Sequence, residues 1–214
     1  MEILDLGSQK PVNNLSKTKE QSERFPLTLN CCRSCGHGQL GHFCDPSDLF
    51  DDYLYASSVS GTLLNYQMWF AAGIDAVMNG RIGRVLEIAS NDGLLLSAMT
   101  ARELSCIGVE PSLEMSNRAR AKGHTVINGY WPESSGEIDF EPLIIIGQNV
   151  LAHTPYPHEF LRACSRILSD SGVAIFQTSQ ADMVRNGEFD TVYHEHYSLS
   201  LIHISEPTRQ AEIS

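Results

Sequence analysis

Short apolar stretches alternate with helical segments through much of this chain. The apolar stretches read RVLEIA, CIGVE, PLIIIG and GVAIFQTS, and the segments between them, LLLSAMTARE, PSLEMSNRARAKG and HEFLRACSRILSDSG, can form helices. PLIIIG is too apolar to face water on either side, which is typical of a strand in a parallel sheet covered on both faces. The alternation therefore predicts an α/β fold built on a parallel sheet.

Helix boundaries are marked around this alternation. The stretch TLLNYQMWFAAGIDAVMNG is a predicted helix that ends at the Asn79-Gly80 pair. Ser112 is the expected N-cap of the helix after the second strand, and Gly123 is its expected stop. Trp69 falls in an apolar stripe of the first helix, so we interpret it as a core residue.

Polar residues mark the carboxyl ends of the predicted strands, where an open parallel sheet binds its ligands. Glu87 lies in the first strand and a turn with Gly93 follows it. The second strand ends at Glu110, about 20 residues further on, the spacing at which a carboxylate reaches a ribose hydroxyl pair. This layout predicts an adenosine site, with Asn149 after the third strand as a further contributor. The alternative is that Glu87 and Glu110 are ordinary polar strand ends.

The turn after the first strand, Ala89 to Gly93, indicates which cofactor to expect. A dinucleotide would want G-x-G-x-x-G, so that backbone amides can approach a pyrophosphate. This turn has one glycine and acidic neighbours, which suit S-adenosylmethionine (SAM), a cofactor without phosphate that carries a positive sulfonium and ammonium. The candidate cofactor-binding residues are Glu87, Ser90, Asn91, Asp92, Gly93, Glu110, Pro111, Ser112 and Asn149.

The stretch FDTVYHEHYS, residues 189 to 198, fits neither a strand nor a helix. Read as a strand, neither of its faces is apolar, and no helical apolar stripe is present. Such a stretch is either a solvated loop or a site. Its residues Tyr193, His194, Glu195 and His196 could serve acid–base chemistry, or its histidines could merely cap neighbouring backbone on the surface.

The ordered set LEIASNDGLLL, GVEPS, QNVLAH and FDTVYHEHYS resembles the sugar C-methyltransferases. Upstream, ILDLGSQKPVNNL, FPLTLNCCRSCGHGQL and LFDDYLYASSVSGT resemble the zinc-binding domain and linker of that family, so the resemblance covers residues 2 to 199. It implies a Rossmann-like class I methyltransferase sheet with a small N-terminal zinc-binding-type region. The reaction implied is SAM-dependent methylation of a ring carbon in a nucleotide-linked 4-keto-deoxysugar. Ala89 departs from the family, which usually has glycine there.

Methylation of carbon requires an enolate, hence a base near neutral pH and a donor for the oxyanion. With the resemblance, we expect His196 to be the base and Glu195 its partner. Tyr193 and His153 would contact the sugar or its enolate, and Tyr53 or Tyr55 would cap the pocket. His153 could instead be a structural histidine. Two other function classes stay open: a methyltransferase with an oxygen or nitrogen acceptor, and a non-catalytic SAM-binding module.

Cys32 and Cys35 are the candidate metal ligands, because C-x-x-C followed by glycine is half of a zinc knuckle. Tetrahedral zinc needs four ligands. We expect either that the other cysteine pair of the family is missing from this chain or that His37, His42 or Cys44 substitutes. The alternative is that Cys32 and Cys35 are small buried residues.

The expected organisation is a truncated zinc-binding-like region and linker at 1–60, a SAM-binding core at 61–185, a YHEH segment at 186–199 that opens a missing domain, and a non-native tail at 200–214. The net charge of -11 argues against nucleic acid as a partner. With no membrane-length apolar run and no signal peptide pattern, we expect a cytoplasmic protein with reduced cysteines. The sequence does not indicate an oligomeric state.

Overall fold

A computed structural model describes residues 1–12, 23–50, 56–59, 61–178, 187 and 191–199. The chain divides into two compact units. Unit 1 combines Met1–Leu49 with Asn149–Pro157 and the described residues from Gln177 onward, and unit 2 combines Phe50–Gln148 with His158–Phe176. Within the described ranges, none of the helices has both the length and the apolar character that a membrane crossing requires.

The elements of unit 2 follow the predicted alternation of strands and helices, with one further strand at Val126–Asn128. The strands are β1 (Glu2–Gln9), β2 (Phe25–Cys31), β3 (Gly38–Leu40), β4 (Arg84–Ile88), β5 (Ser105–Glu110), β6 (Val126–Asn128), β7 (Ile144–Gln148), β8 (Val173–Gln177) and β9 (Ser198–Leu199). The α-helices are α1 (Pro46–Phe50), α2 (Gly61–Met78), α3 (Leu94–Thr100), α4 (Leu113–Ala121) and α5 (Pro157–Ile167). Short 3-10 turns occupy Ser57–Val59, Glu133–Glu137 and Leu151–His153.

Unit 2 is built on a five-stranded sheet with the order β6-β5-β4-β7-β8 among the described residues. Strand β4 pairs in parallel with β5 on one side and with β7 on the other. Its central position explains why Val85, Leu86 and Ile88 are all buried, as parallel strands covered on both faces must be. This confirms the α/β fold with a parallel sheet.

The predicted helix boundaries in unit 2 are confirmed by the backbone. Helix α2 ends where Asn79 and Gly80 adopt positive φ angles of 47° and 73°, which stops the helical hydrogen-bond pattern. The Ser112 side chain caps α4 by accepting a hydrogen bond from the backbone N–H of Met115, and Gly123 follows that helix with φ 92°.

The interpretation of Trp69 as a core residue is wrong. Its side chain is 69% exposed, whereas Ala71, Ile74 and Met78 of the same helix are buried. A helix that packs on a sheet through one face buries only the residues on that face. Trp69 lies outside it, beside the rings of Tyr66 and Phe70.

Unit 1 contains a second sheet, with the strand order β1-β2-β3-β9 among the described residues. All of its neighbouring strands are antiparallel. Its small core consists of Leu27, Leu29, Leu40, Val192 and Leu199. Strand β9 forms the last two residues of the YHEH segment (186–199), so its pairing with β3 fixes the C-terminal end of that segment.

Candidate functional site

The turn after β4 has an unusual backbone. Ala89, Asn91 and Gly93 have positive φ angles of 60°, 49° and 77°. A Cβ atom at Gly93 would lie 3.0 Å from both the Cβ of Ala119 and the Cδ2 of His124, so a side chain there would have to push these neighbours away by a few tenths of an ångström. Glycine is therefore favoured at this position by both its backbone conformation and its size.

Glu110, at the end of β5, is anchored by two backbone N–H groups. The N–H of Asn91 donates to Oε2 and the N–H of Ser112 donates to Oε1, each over 2.9 Å. Burial raises the pKa of Glu110, and the two N–H groups oppose that shift because they stabilise the charged form. The carboxylate is thus held in one orientation and can still accept further hydrogen bonds, as a ribose hydroxyl pair requires.

Glu87 lies in β4 and its side chain is only 5% exposed. Burial, then the negative charges of Glu110 and Asp92, raise its pKa well above the ordinary value. Its Oε2 atom has no hydrogen-bond partner among the described residues. Three buried carboxyl groups in one place favour a cationic ligand, because each would gain from a positive charge.

Asp92 combines one strong anchor with one unpartnered oxygen. The ammonium of Lys122 donates to the backbone oxygen of Asp92 at 2.7 Å and to Oδ2 at 3.2 Å. Oδ1 of Asp92 and Oγ of Ser90 are buried without a partner in the described part of the chain. Buried polar atoms are rarely left unsatisfied in proteins, so this turn has unused capacity for a ligand.

These observations fit SAM at the predicted site. The sulfonium and ammonium groups match the buried acids, and the unpartnered oxygens match the hydrogen-bond donors of an adenosyl amino acid. Pro111 is half-buried beside Glu110 in sequence. Asn149 is exposed, with φ 51°, and belongs to unit 1, so its predicted part in cofactor binding stays a prediction.

A separate cluster in unit 1 surrounds His196. The carbonyl oxygen of Thr191 lies 2.8 Å from Nδ1 of His196, and the hydroxyl of Tyr193 lies 3.0 Å from Nε2. A carbonyl can only accept, so Nδ1 carries the proton and Nε2 presents its lone pair to Tyr193. Burial lowers the pKa of His196, although the Thr191 carbonyl opposes the shift. The imidazole is therefore a neutral, oriented base at neutral pH.

His153 and Glu195 complete this cluster. The His153 ring lies 4.8 Å from that of His196 between centroids, and its Nδ1 is 3.9 Å from Oε2 of Glu195. Burial, and to a lesser degree His196, lower the pKa of His153 to about 3. The contact with Glu195 is therefore not an ion pair at neutral pH. Thr191 and Tyr193 contact the two ring nitrogens of His196, and the expected partnership of Glu195 with His196 stays a prediction.

The remaining YHEH residues explain why this polar stretch is ordered. Nε2 of His194 bonds the carbonyl oxygen of Phe25 at 3.2 Å, and the hydroxyl of Tyr197 donates to the carbonyl of Cys44 at 2.9 Å. His194, Glu195 and Tyr197 are all 1% exposed. Residues 191–198, the part of the stretch that the structure describes, therefore form a largely buried segment of unit 1, and the alternative of a solvated surface turn at YHEH is wrong.

The candidate zinc ligands Cys32 and Cys35 do not belong to a complete metal site among the residues that the structure describes. Cys32 and Cys35 are both exposed, and hydrogen bonds from the Cys35 and Ser34 backbone lower the pKa of the Cys32 thiol. Among the described residues, no three His, Cys, Asp or Glu side chains gather where they could hold a metal ion. The residues present do not fit a complete tetrahedral site. Cys44 is buried, and His42 stacks on Phe25.

Several contributing residues were missed by the sequence reasoning, namely Lys122, Thr191, Gln67 and Gln148. Lys122 directly precedes the predicted helix stop at Gly123 and could have been considered as a partner for the acidic turn. No sequence signal marks the other three: Thr191 contributes a backbone carbonyl, which every residue type carries, and the contact between Gln67 and Gln148 joins positions 81 residues apart. Tyr53 and Tyr55 lie outside the described residues.

The parallel sheet and the acidic turn at its carboxyl edge define a Rossmann-like fold of the SAM-dependent methyltransferase type. A family model described as "Methyltransferase domain" matches residues 55–211, and one described as "Putative zinc binding domain" matches residues 1–50. The chain belongs to the methyltransferase-domain family, as the resemblance predicted.

Curated and solved relatives agree with this assignment. The chain is 27% identical over 211 residues to the C-methyltransferase NovU of Streptomyces niveus, covering 92% of this chain and 49% of NovU. It therefore spans about half the length of this relative. The plantazolicin methyltransferase BamL, solved with S-adenosylhomocysteine (SAH), matches with a TM-score of 0.56, 12% identity, and coverage of 67% of this chain and 58% of BamL. A SAM-dependent methyltransferase from Thermotoga maritima matches with a TM-score of 0.50, 18% identity, and 67% coverage of both chains. These two likenesses support the fold.

Proposed function

We propose that this chain is the cofactor-binding and base-bearing part of a SAM-dependent C-methyltransferase that acts on a nucleotide-linked 4-keto-deoxysugar. The observation that carries the proposal is the neutral imidazole of His196, whose Nδ1 is fixed by the Thr191 carbonyl and whose Nε2 is left basic. The likeness to the C-methyltransferase NovU supports carbon as the acceptor atom.

In the proposed reaction, Nε2 of His196 removes a proton from the carbon beside the sugar ketone. The C–H bond breaks, its electron pair forms the enolate, and the proton stays on the imidazole. The hydroxyl of Tyr193 lies 3.0 Å from Nε2 and would turn to the ketone oxygen when a sugar binds beside His196. It would then donate to the oxyanion as charge develops there.

His153 has a different proposed role. Its pKa of about 3 keeps it neutral, so it can donate one hydrogen bond without competing for the proton that His196 removes. Two histidines with different environments would thus divide the base and donor roles.

When bound, SAM would supply an electrophilic methyl group on its sulfonium. The residues of unit 2 would hold it: Glu110 at the ribose hydroxyls, and Glu87, Ser90 and Asp92 with their unpartnered oxygens near the charged part.

The first test is whether the α-proton of a nucleotide-linked 4-keto-6-deoxyhexose exchanges in D₂O with this chain and SAH, followed by NMR. Exchange that depends on His196 supports enolate formation. His196→Asn should abolish it, whereas His158→Asn, at an exposed position, is the matched control and should leave it unchanged. Equal exchange in both variants would contradict the base assignment.

The chief alternative is a SAM-dependent methyltransferase with an oxygen or nitrogen acceptor, which needs no enolate. It predicts methyl transfer without α-proton exchange. Calorimetric titration with SAH separates both from a chain that has lost cofactor binding. Wild type should bind, and Glu110→Gln should bind about tenfold more weakly or worse, because the variant loses a charged acceptor for the ribose. Absence of SAH binding to a folded wild-type chain would refute the cofactor assignment.

A further inference from the structure

Two glutamine side chains of unit 2 leave buried polar atoms unused. The amide nitrogen of Gln67, in α2, donates to Oε1 of Gln148 at 2.7 Å. Oε1 of Gln67 and Nε2 of Gln148 then have no partner among the described residues. Gln67 is only 6% exposed. An unmade hydrogen bond at a buried polar atom costs about 1–3 kcal/mol, so this pair is not explained by its internal bond alone.

The register of the sheet places this pair next to the acidic site. Side chains alternate along a strand, so Ile144, Ile146 and Gln148 of β7 lie on one face. That face packs on α2, because both isoleucines share a core cluster with Ala71 and Ile74.

Glu87 of β4 lies on the same face, since it is the register partner of Ile146. Gln148 is two residues further along the neighbouring strand, nearer the carboxyl edge. Glu87 and Gln148 are therefore diagonal neighbours on this face of the sheet, and Gln67 contacts Gln148 from helix α2.

The unused chemistry of the pair does not depend on how the amides are turned. The bond uses an N–H of Gln67 and the side-chain oxygen of Gln148. It leaves the side-chain oxygen of Gln67 as an acceptor and the NH₂ group of Gln148 as a donor. Turning both amides over exchanges the two residues but leaves the same pair of free groups. With the unpartnered Oε2 of Glu87, this face presents two acceptors and one donor at the edge of the sheet.

We infer that Gln67 and Gln148 recognise the amino-acid end of SAM, one amide NH₂ donating to the α-carboxylate and one amide oxygen, with Glu87, accepting from the α-ammonium. An α-amino acid zwitterion offers one anion and one cation about 2–3 Å apart, which matches a donor and acceptors on one small surface. Adenosine has no such pair, so the amides would discriminate between cofactor fragments. The inference rests on the proposed SAM site and assigns its specificity.

The test compares two probes that differ in the amino-acid end. SAH has the complete zwitterion, whereas 5′-methylthioadenosine keeps the adenosine and the sulfur but lacks the amino acid. Calorimetry on wild type, Gln148→Met and Gln67→Met should show SAH binding about tenfold or more weaker in the variants, as expected for a lost bond to a charged group. Affinity for 5′-methylthioadenosine should stay within about twofold.

A second variant separates recognition from packing. Gln148→Glu keeps an oxygen to accept from Gln67 but replaces the NH₂ group with a second oxygen, which repels the cofactor carboxylate. The variant should bind SAH more weakly than wild type does. It should bind decarboxylated SAH, which retains the amine, with the same affinity as wild type or more tightly. Gln39→Glu adds the same charge at an exposed position of unit 1, so it is the control and should leave both affinities unchanged.

The outcomes are distinct. Selective loss of SAH affinity supports the inference. Equal loss for SAH and 5′-methylthioadenosine, or SAH affinity that survives Gln148→Glu, overturns it. If folded wild type binds 5′-methylthioadenosine and SAH equally well, the cofactor site stands but this inference fails. If it binds neither probe, the proposed cofactor itself is refuted.

Discussion

Removing the ammonium of Lys122 should destabilise unit 2 by about 2 kcal/mol. Its Nζ makes two hydrogen bonds to Asp92, one of them to a carboxylate that is 2% exposed. A bond to a charged group contributes about 1.5–3 kcal/mol, and the 38% exposure of the Lys122 side chain puts this pair toward the lower half of that range. Lys122→Met keeps the aliphatic stem and removes only the charge.

The same region of the chain supplies a matched control. Arg118 pairs with Glu114 on α4, but both side chains are about half exposed, so Arg118→Met should cost about 0.3–0.5 kcal/mol. Urea unfolding followed by tryptophan fluorescence is the assay. Trp69 and Trp131 both lie in unit 2, so the signal reports that unit.

A double-mutant cycle tests the physical reason. Asp92→Asn combined with Lys122→Met should cost about 1–2 kcal/mol less than the two single changes added together, because the second change removes a charge already left unpaired. Equal costs for Lys122→Met and Arg118→Met, or strictly additive single changes, would refute the reasoning.

Three other outcomes are expected. In urea unfolding, Ala89→Gly should leave the free energy of unfolding unchanged or raise it by up to about 1 kcal/mol, because Ala89 has a φ of 60° that glycine adopts more easily. Ala76→Gly is the control at an exposed position inside α2, and it should lower the free energy of unfolding by about 1 kcal/mol. Burial lowers the pKa of His153 from 6.5 to about 3, so the stability from its neutral form is complete above pH 6.5 and is lost as the pH falls toward 3. From pH 6.5 to 5 the free energy of unfolding of unit 1, measured by hydrogen exchange, should fall by about 2 kcal/mol. His153→Gln should remove most of this pH dependence, and an unchanged pH dependence in that variant would contradict the burial argument. Trp69→Ser should change stability by less than about 0.5 kcal/mol, whereas Trp131→Ala, at a site 8% exposed, should cost about 3 kcal/mol or more; similar costs would contradict the exposure difference.

Much of the cofactor site could be predicted from the sequence because its parts are local. The turn from Ala89 to Gly93 is contiguous, and Glu110 follows at a spacing set by one strand–helix–strand unit. Even the cap at Ser112 depends only on its own helix. The roles of Glu87 and Asp92 were inferred from their chemistry, and their burial in the structure supports that inference.

The orientation of the YHEH residues could not be predicted in the same way. The sequence suggested Glu195 as the partner of His196 because the two are adjacent. In the structure, the Thr191 carbonyl holds Nδ1, and Glu195 lies near His153, more than forty positions earlier in the chain. Adjacent residues in a turn point in different directions, so closeness in sequence does not decide which side chains meet.

The sequence by itself determined the α/β class, the family and the identity of the residues at the strand ends, because hydrophobic periodicity and turn chemistry act over a few residues. Only the tertiary structure decided which polar atoms are satisfied and which are left open. Gln67 and Gln148 look like ordinary polar residues in the sequence and become a matched pair only when α2 packs on β7. Burial and hydrogen-bond partnership arise from contacts between distant segments, and those contacts set the protonation of His153 and the unused atoms of the cofactor site.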